Sequence, residues 1–126
     1  MTLIEKLEAA TEGSRELDAE IWHAANPTKY ERVAGQQSGL YPRGFNPEMK
    51  AQWLARRMAD KAPHYTTSLD AALTLKPEGH RIRLWEHHTG SFGCDLFKGD
   101  GGFLWKAHAP SLALALCIAA LKARTP

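Results

Sequence analysis

The chain has 126 residues, of which 44% are hydrophobic and 24% are charged, and its formal net charge is +2. This length suits one domain, and this composition is that of an ordinary globular protein. The net charge is too small to indicate nucleic acid as a partner, and Glu5 and Glu8 stand where a signal peptide would carry basic and apolar segments. We therefore expect a single cytoplasmic domain over residues 1–126, with neither a membrane nor a nucleic acid as its partner.

The first predicted helix begins close to the start of the chain. Thr2 and Glu5 have the spacing of a capping box, in which the two side chains satisfy free amides of the first turn. This spacing predicts a helix over about residues 3–11. Gly13 suits the left-handed position that ends a helix.

A second helix is predicted over residues 15–24, because Ser14 can cap it. Asp18 and Glu20 give this helix an acidic side. We interpret that side as a solvated face and not as a carboxylate site.

The segment from residue 28 to residue 46 is rich in glycine and has no sustained hydrophobic period, which predicts a loop. A connection of this length inside a compact domain is usually either functional or poorly ordered. Its side chains include the aromatic and guanidinium groups that bind flat or anionic ligands, namely Tyr30, Tyr41, Arg43 and Phe45.

A third helix is predicted to begin at Asn46-Pro47 and to end near Asp60. Met49 and Trp53 mark its apolar stripe, and its other side is basic. Residues that suit the centre of a protein interface extend from the loop into this helix. The candidate partner-binding residues are Phe45, Met49, Trp53, Arg56 and Arg57.

A short helix and three strands are predicted next. Thr67 and Asp70 have capping-box spacing before a helix that ends at Leu75. Alternation of apolar and polar residues then predicts antiparallel strands near residues 81–88, 92–98 and 103–108. The glycine-rich run 99–102 predicts a hairpin turn between the second and third strands, in preference to a phosphate cradle.

The last predicted element is a helix over residues 110–124. Pro110 suits a first helical position, an uncharged run follows it, and Lys122 and Arg124 stand in the last turn. The helix is apolar nearly all round and too short to span a bilayer. We therefore expect it to be the central packing element of an α-β-α sandwich, an α+β fold with a short antiparallel three-stranded meander and helices on both faces.

Two segments carry a resemblance to a known family. Residues 62–75 and 109–121, together with the meander between them, resemble the phage ABA sandwich domain, and the acidic segment 17–21 is similar to that family's opening helix. The family consists of small phage and prophage proteins with helices on both faces of a short antiparallel sheet. The resemblance implies a core of residues 3–24 and 62–124 and an insertion of about residues 26–61, and it brings no catalytic residues.

One departure from the family pattern lies before the last helix. The family usually has small, uncharged residues there, whereas this chain has Lys106-Ala107-His108. A bulky titratable group therefore stands at the helix entrance.

Metal and catalytic sites have weak support in the sequence. His80, His87, His88 and His108 lie on or beside the predicted sheet, but the neighbours His87 and His88 should point to opposite faces of a strand. No pair has the spacing of zinc ligands, and we expect neither a metal nor a cofactor.

Nucleophilic catalysis has no better support. Ser68 is explained as a helix cap, Ser91 as a turn residue, and Cys94 and Cys117 as buried free thiols. We expect a protein that is not an enzyme.

The remaining candidate is one face of the first strand. Arg81, Arg83, Trp85 and His87 alternate onto that face. The arginines are either paired with acidic residues, for which Asp18 and Glu20 are candidates, or free to form an open platform for anions and rings. Both interpretations remain open at this point.

Two binding functions follow from these patterns. In the first, a phage accessory protein captures a small anionic ligand, such as a nucleotide signal of host defence, on Arg81, Arg83, Trp85 and His87, with Tyr41 and Arg43 in a covering insertion. In the second, the insertion grips a host protein. Enzymatic activity is a third alternative, and self-association is not readable from the sequence.

Overall fold

The computed structural model describes residues 2–98 and 104–124. Its elements follow in the order α1 (Leu3–Ala9), α2 (Arg15–Ala25), α3 (Pro27–Ser38), α4 (Pro47–Lys61), α5 (Leu69–Leu73), β1 (His80–Glu86), β2 (Phe92–Lys98), β3 (Leu104–Ala109) and α6 (Leu112–Arg124). The predicted α+β class, with helices around a small antiparallel sheet, is confirmed. The chain divides into two compact units, which we call the helical unit (residues 15–63) and the sheet unit (the residues before and after it).

The helical unit consists of α2, α3 and α4, and each of these helices packs against the other two. The predicted core includes α2 together with the sheet, whereas the contacts of α2 group it with α3 and α4. Ile21 and Trp22 are the large buried side chains of α2. The ring of Tyr30 from α3 meets the Trp22 ring edge to face, with centroids 5.5 Å apart.

The loop predicted for residues 28–46 is wrong, because residues up to Ser38 form α3. Pro27 stands in the first turn, where its missing N–H is not needed. Tyr30 and Gln37 are partly or fully buried two turns apart, so the helix has an inward face that the polar composition concealed. Gly35 lies in open space within the helix, where it is tolerated, and only Gly39 ends it.

The prediction that the acidic side of α2 is a solvated face is wrong for Asp18. Asp18 is completely buried, and its carboxylate accepts a hydrogen bond from Arg15 Nη1 at 2.7 Å. The same guanidinium also donates to the carbonyl oxygens of Asp60 and Ala62 at the end of α4. A buried carboxylate with a charged partner of this kind is a structural ion pair.

The sheet unit is built around α6, as predicted. Every residue from Ala113 to Leu121 is buried, because β2 and β3 cover one side of the helix while α1 and α5 pack on other sides. The thiol of Cys117 donates to the carbonyl oxygen of Tyr65 at 3.2 Å. None of the helices in the described ranges is long and apolar enough to cross a bilayer.

The helix ends of the sheet unit agree with the sequence in part. Thr2 caps α1 as predicted, accepting from Glu5 N at 3.2 Å. The cap of α5 is Ser68, as predicted for this serine, which accepts from Ala71 N at 3.3 Å, and the capping-box alternative at Thr67 is not formed. Gly13 is not in the left-handed region; it is required because a Cβ at that position would stand 2.6 Å from the Thr66 carbonyl oxygen.

The three strands form an antiparallel meander in the order β1-β2-β3, as predicted. The register pairs Arg83 with Asp95 and Asp95 in turn with Lys106. The hairpin turn predicted at residues 99–102, and Phe103, lie outside the described residues.

Candidate functional site

The register divides the sheet into two faces of different chemistry. The covered face carries the apolar side chains that pack toward α6, Cys94, Leu96 and Ala107 among them. The alternate residues form the other face, which we call the open face. Its three rows, each written from β1 to β3, are Trp85-Gly93-His108, Arg83-Asp95-Lys106 and Arg81-Phe97-Leu104.

The middle row is a line of three charges. Arg83 donates from Nη2 and Nε to the same carboxylate oxygen of Asp95, Oδ2, at 2.6 and 3.2 Å. The Asp95 residue is only 3% exposed, whereas the Arg83 side chain is 69% exposed. The carboxylate is therefore fixed in the sheet and holds one edge of a guanidinium that otherwise faces solvent.

Lys106 completes this row on the far side of Asp95. Its side chain is exposed, and no carboxylate within residues 2–98 and 104–124 lies within ion-pair distance of its ammonium group. The three charged groups of the row therefore sum to one positive charge.

The first row is aromatic. The Trp85 indole lies against the backbone of Gly93 on the neighbouring strand, so closely that a Cβ at position 93 would overlap the ring. The imidazole of His108 meets the indole edge to face, with centroids 5.1 Å apart, and the His87 ring lies 4.8 Å from it. The absence of a side chain at Gly93 thus allows the indole to pack directly on the backbone, and two imidazoles flank the ring.

The first two rows line a shallow groove of about 490 Å³. Its walls are Arg83, Trp85, Asp95, Lys106 and His108. This volume lies within the range of small-molecule sites. The lining is more polar than that of most such sites, because it combines the Trp85 ring with four polar or charged side chains.

The structure brings together only part of the predicted ligand site. Arg83 and Trp85 line the groove, Arg81 is exposed one row away on the same face, and His87 follows the end of β1 beside the indole. Of the two alternatives for these arginines, the ion pair is the one observed for Arg83, but its partner is Asp95 on the adjacent strand and not the candidates Asp18 or Glu20.

Sequence reasoning missed four residues of the groove as ligand-site candidates: Gly93, Asp95, Lys106 and His108. The pairing register places Asp95 opposite Arg83 and Gly93 opposite Trp85, and it places Lys106 and His108 next in the same two rows on the third strand. A count outward from the two turns could have placed Asp95 opposite Arg83, but the alternation within a single strand could not.

The other predicted site residues belong to the helical unit. Tyr41 contacts Trp53 edge to face at 5.3 Å, and the Arg57 guanidinium lies 5.4 Å from the Trp53 ring centroid. A small groove of about 170 Å³ is lined by Phe45, Met49, Gln52, Trp53 and Arg56. Arg43 is exposed.

Histidine and cysteine chemistry is limited by the surroundings of these residues. His87 and His88 follow β1 instead of lying within it, and their rings are 5.5 Å apart, so the predicted opposite orientation on a strand is wrong. Within the described ranges, no three histidine, cysteine or acidic side chains are grouped to hold a metal ion. Burial, and to a lesser extent the charge of Asp95, raises the pKa of the Cys94 thiol to about 12, so this thiol is not an activated nucleophile.

The chain was compared with protein-family models, with curated proteins and with solved structures, and none of them matches it. The resemblance to the phage ABA sandwich family therefore stays a prediction from the sequence.

Proposed function

We propose that this protein is a binding protein that captures a small anionic ligand of the nucleotide type on its open face. The observation that carries the proposal is the groove in which the Trp85 indole lies one row from the exposed Arg83 guanidinium and the exposed Lys106 side chain. An indole stacks on a base, and a guanidinium binds phosphate through paired hydrogen bonds.

The arrangement of the groove favours binding over a purely structural role for Arg83. A guanidinium that served only to neutralise Asp95 would be expected to lie against the sheet, whereas 69% of the Arg83 side chain is exposed. The pair with Asp95 fixes the position of the group before a ligand arrives, which lowers the entropy lost on binding.

The biological setting of the proposal depends on the family resemblance. A small phage or prophage accessory protein that sequesters a nucleotide signal would act in counter-defence inside the host cell. Stoichiometric capture needs no catalytic group.

Calorimetric titration with a panel of mono-, di- and cyclic nucleotides tests this function. We expect heat with at least one nucleotide, and a clear loss of affinity in Arg83→Lys, because lysine keeps the charge but cannot form the paired hydrogen bonds. Arg32→Lys, at an exposed arginine of α3, is the matched control and should leave the affinity unchanged. Absence of heat with every nucleotide, together with a lowered melting temperature for Arg83→Ala, would end the proposal.

A second candidate function is the binding of a host protein by the helical unit. It is favoured by the exposure of Leu40 and Met49, which are 58% and 41% exposed and lie in or near the segment that carries Phe45 and Trp53. Exposed apolar side chains beside an aromatic groove are typical of an interface centre. If this function is the correct one, Met49→Asp abolishes the capture of one defined host protein while Arg83→Lys retains it.

A further inference from the structure

We infer that the groove on the open face selects a nucleoside 5′-monophosphate, whose terminal phosphate monoester it distinguishes from the phosphodiester of a cyclic nucleotide. This inference rests on the proposed function and names the ligand class of the same site. Asp95 acts in it as a positioning residue, and Lys106 as a second phosphate contact.

The ion pair with Asp95 leaves one end of the Arg83 guanidinium available to a ligand. A guanidinium has five N–H groups in a fixed fork. Two of them donate to Asp95 Oδ2, which occupies the edge formed by Nε and Nη2. The end formed by Nη1 and Nη2 is left to face a ligand, and two parallel N–H donors at that end match two oxygens of one phosphate.

The second argument is charge. The middle row carries one net positive charge, and Arg81 adds another on the same face one row away. A terminal phosphate monoester has a charge between about −1.5 and −2 at neutral pH, whereas the phosphodiester of a cyclic nucleotide carries a single negative charge. The positive charge of the open face therefore matches the negative charge of a monoester and exceeds that of a cyclic phosphodiester.

The third argument is spacing. Trp85 and Arg83 are two residues apart on β1, which separates their side chains by about 6 to 7 Å along the strand. One ribose links base and phosphate in a nucleotide, and a 5′-phosphate can extend away from its base along that length. In a 3′,5′-cyclic nucleotide the phosphate is tied back to the sugar, so an indole-stacked base would hold it short of the guanidinium end.

Isothermal titration of the intact chain with two matched series of probes tests the inference. One series is AMP, GMP, CMP and UMP, and the other is their 3′,5′-cyclic forms; adenosine and inorganic phosphate serve as partial ligands. We expect the best monophosphate to bind at least about tenfold more tightly than its cyclic form, since about 1.4 kcal/mol corresponds to a tenfold ratio and one charge-assisted hydrogen bond contributes about that much. Adenosine and inorganic phosphate should each bind weakly.

Two variants separate the roles of the charged row. Asp95→Asn keeps the size of the side chain but removes the charge that holds the Nε edge, and it also adds one net positive charge to the row. Loss of the fixed guanidinium should lower the ratio between monophosphate and cyclic affinity toward one, whereas a rise of that ratio would show that net charge alone sets the preference and would contradict the positioning role. Lys106→Gln changes an exposed side chain and should weaken the monophosphate more than the cyclic nucleotide, which keeps the inference testable if Asp95→Asn does not fold. Arg32→Lys, at an exposed arginine of α3, should leave the ratio unchanged.

The outcomes distinguish this inference from the proposed function. If a cyclic nucleotide binds as tightly as its monophosphate or more tightly, the inference is overturned and nucleotide capture stands. If a monophosphate binds but the ratio is unchanged in both Asp95→Asn and Lys106→Gln, the assigned roles of these residues are wrong. If none of these probes gives heat, the inference fails, and the proposed function fails with it when the wider panel of nucleotides gives no heat either and Arg83→Ala lowers the melting temperature.

Discussion

The two faces of the sheet are made from alternate residues of the same three strands, yet one is apolar and the other is charged and aromatic. The covered face packs small and apolar side chains toward α6, where Leu96 and Cys94 are fully buried. The open face carries three cationic side chains, one buried carboxylate and a seated indole. The comparison teaches that stability and the proposed binding depend on different faces, so that a substitution should affect mainly one of them.

The largest expected effect comes from a charge placed on the covered side. Leu116→Asp in α6 puts an unpaired carboxylate at a fully buried position, and it should lower the free energy of unfolding by about 3 kcal/mol or more. Denaturant unfolding followed by circular dichroism measures this change. Leu104→Asp on the open face is the control, since Leu104 is 48% exposed and its substitution should change stability by no more than about 0.5 kcal/mol. Equal losses in the two variants would contradict the division of the faces.

The second largest effect is expected on the open face, when a substitution displaces the Trp85 indole. Gly93→Ala introduces a Cβ where the Trp85 indole lies, so the ring must leave its seat, at a cost of about 1 to 3 kcal/mol. The near-ultraviolet circular dichroism should change and nucleotide binding should be lost. Gly35→Ala is the matched control, because nothing lies within 4 Å of the added atom and alanine favours a helix interior. An unchanged near-ultraviolet spectrum in Gly93→Ala would refute the seated indole.

The third effect should appear in binding and hardly in folding. Arg83→Lys keeps a cation beside Asp95 on an exposed side chain, so it should lower the unfolding free energy by less than about 1 kcal/mol. Nucleotide affinity should fall about tenfold, because the paired N–H donors are lost. Melting curves and titrations on the same sample give both numbers. A large loss of stability with unchanged affinity would show that the arginine is structural.

The smallest effect concerns the buried thiol behind the open face. Burial raises the pKa of the Cys94 thiol to about 12 in the folded protein. The contribution of the protonated thiol to the free energy of unfolding is therefore complete at neutral pH and is lost as the pH rises from about 9 toward 12. A thiol reagent such as Ellman's reagent should react with Cys94 at pH 8 only after the protein is unfolded. The Cys117→Ala variant isolates the signal of Cys94, and rapid labelling of the folded variant would contradict this prediction.

The sequence predicted those parts of the fold in which local signals agree with one another. The uniformly apolar run of α6, the Thr2 and Asn46 caps and the alternation of the strands each lead to the observed element. The helix α3 was missed because Gly35 and Gly39 were interpreted as breaks, although only Gly39 ends it. The burial of Asp18 was missed because it depends on the position of its partner Arg15. The Arg15 guanidinium also donates to two carbonyl groups that are distant in sequence, and a local pattern does not indicate those contacts.

The candidate site could be predicted only as far as a single strand extends. Alternation placed Arg83 and Trp85 on one face, but their neighbours Asp95 and Gly93 depend on which residues pair across the hairpin. A slip of one residue would put Cys94 in the place of Asp95, so no pattern within one strand could have identified the partner.

A three-stranded sheet has two outer strands, and in the described part of the chain these are β1 and β3. Free strand edges invite pairing with another chain, and proteins discourage such pairing with charged side chains and short strands. Here Arg81, Arg83 and Lys106 stand on the two outer strands, neither of which exceeds 7 residues. The charges proposed to hold a phosphate also oppose aggregation, so a protein stripped of them to abolish binding should become prone to precipitation, and loss of binding will have to be measured on material shown to be monodisperse.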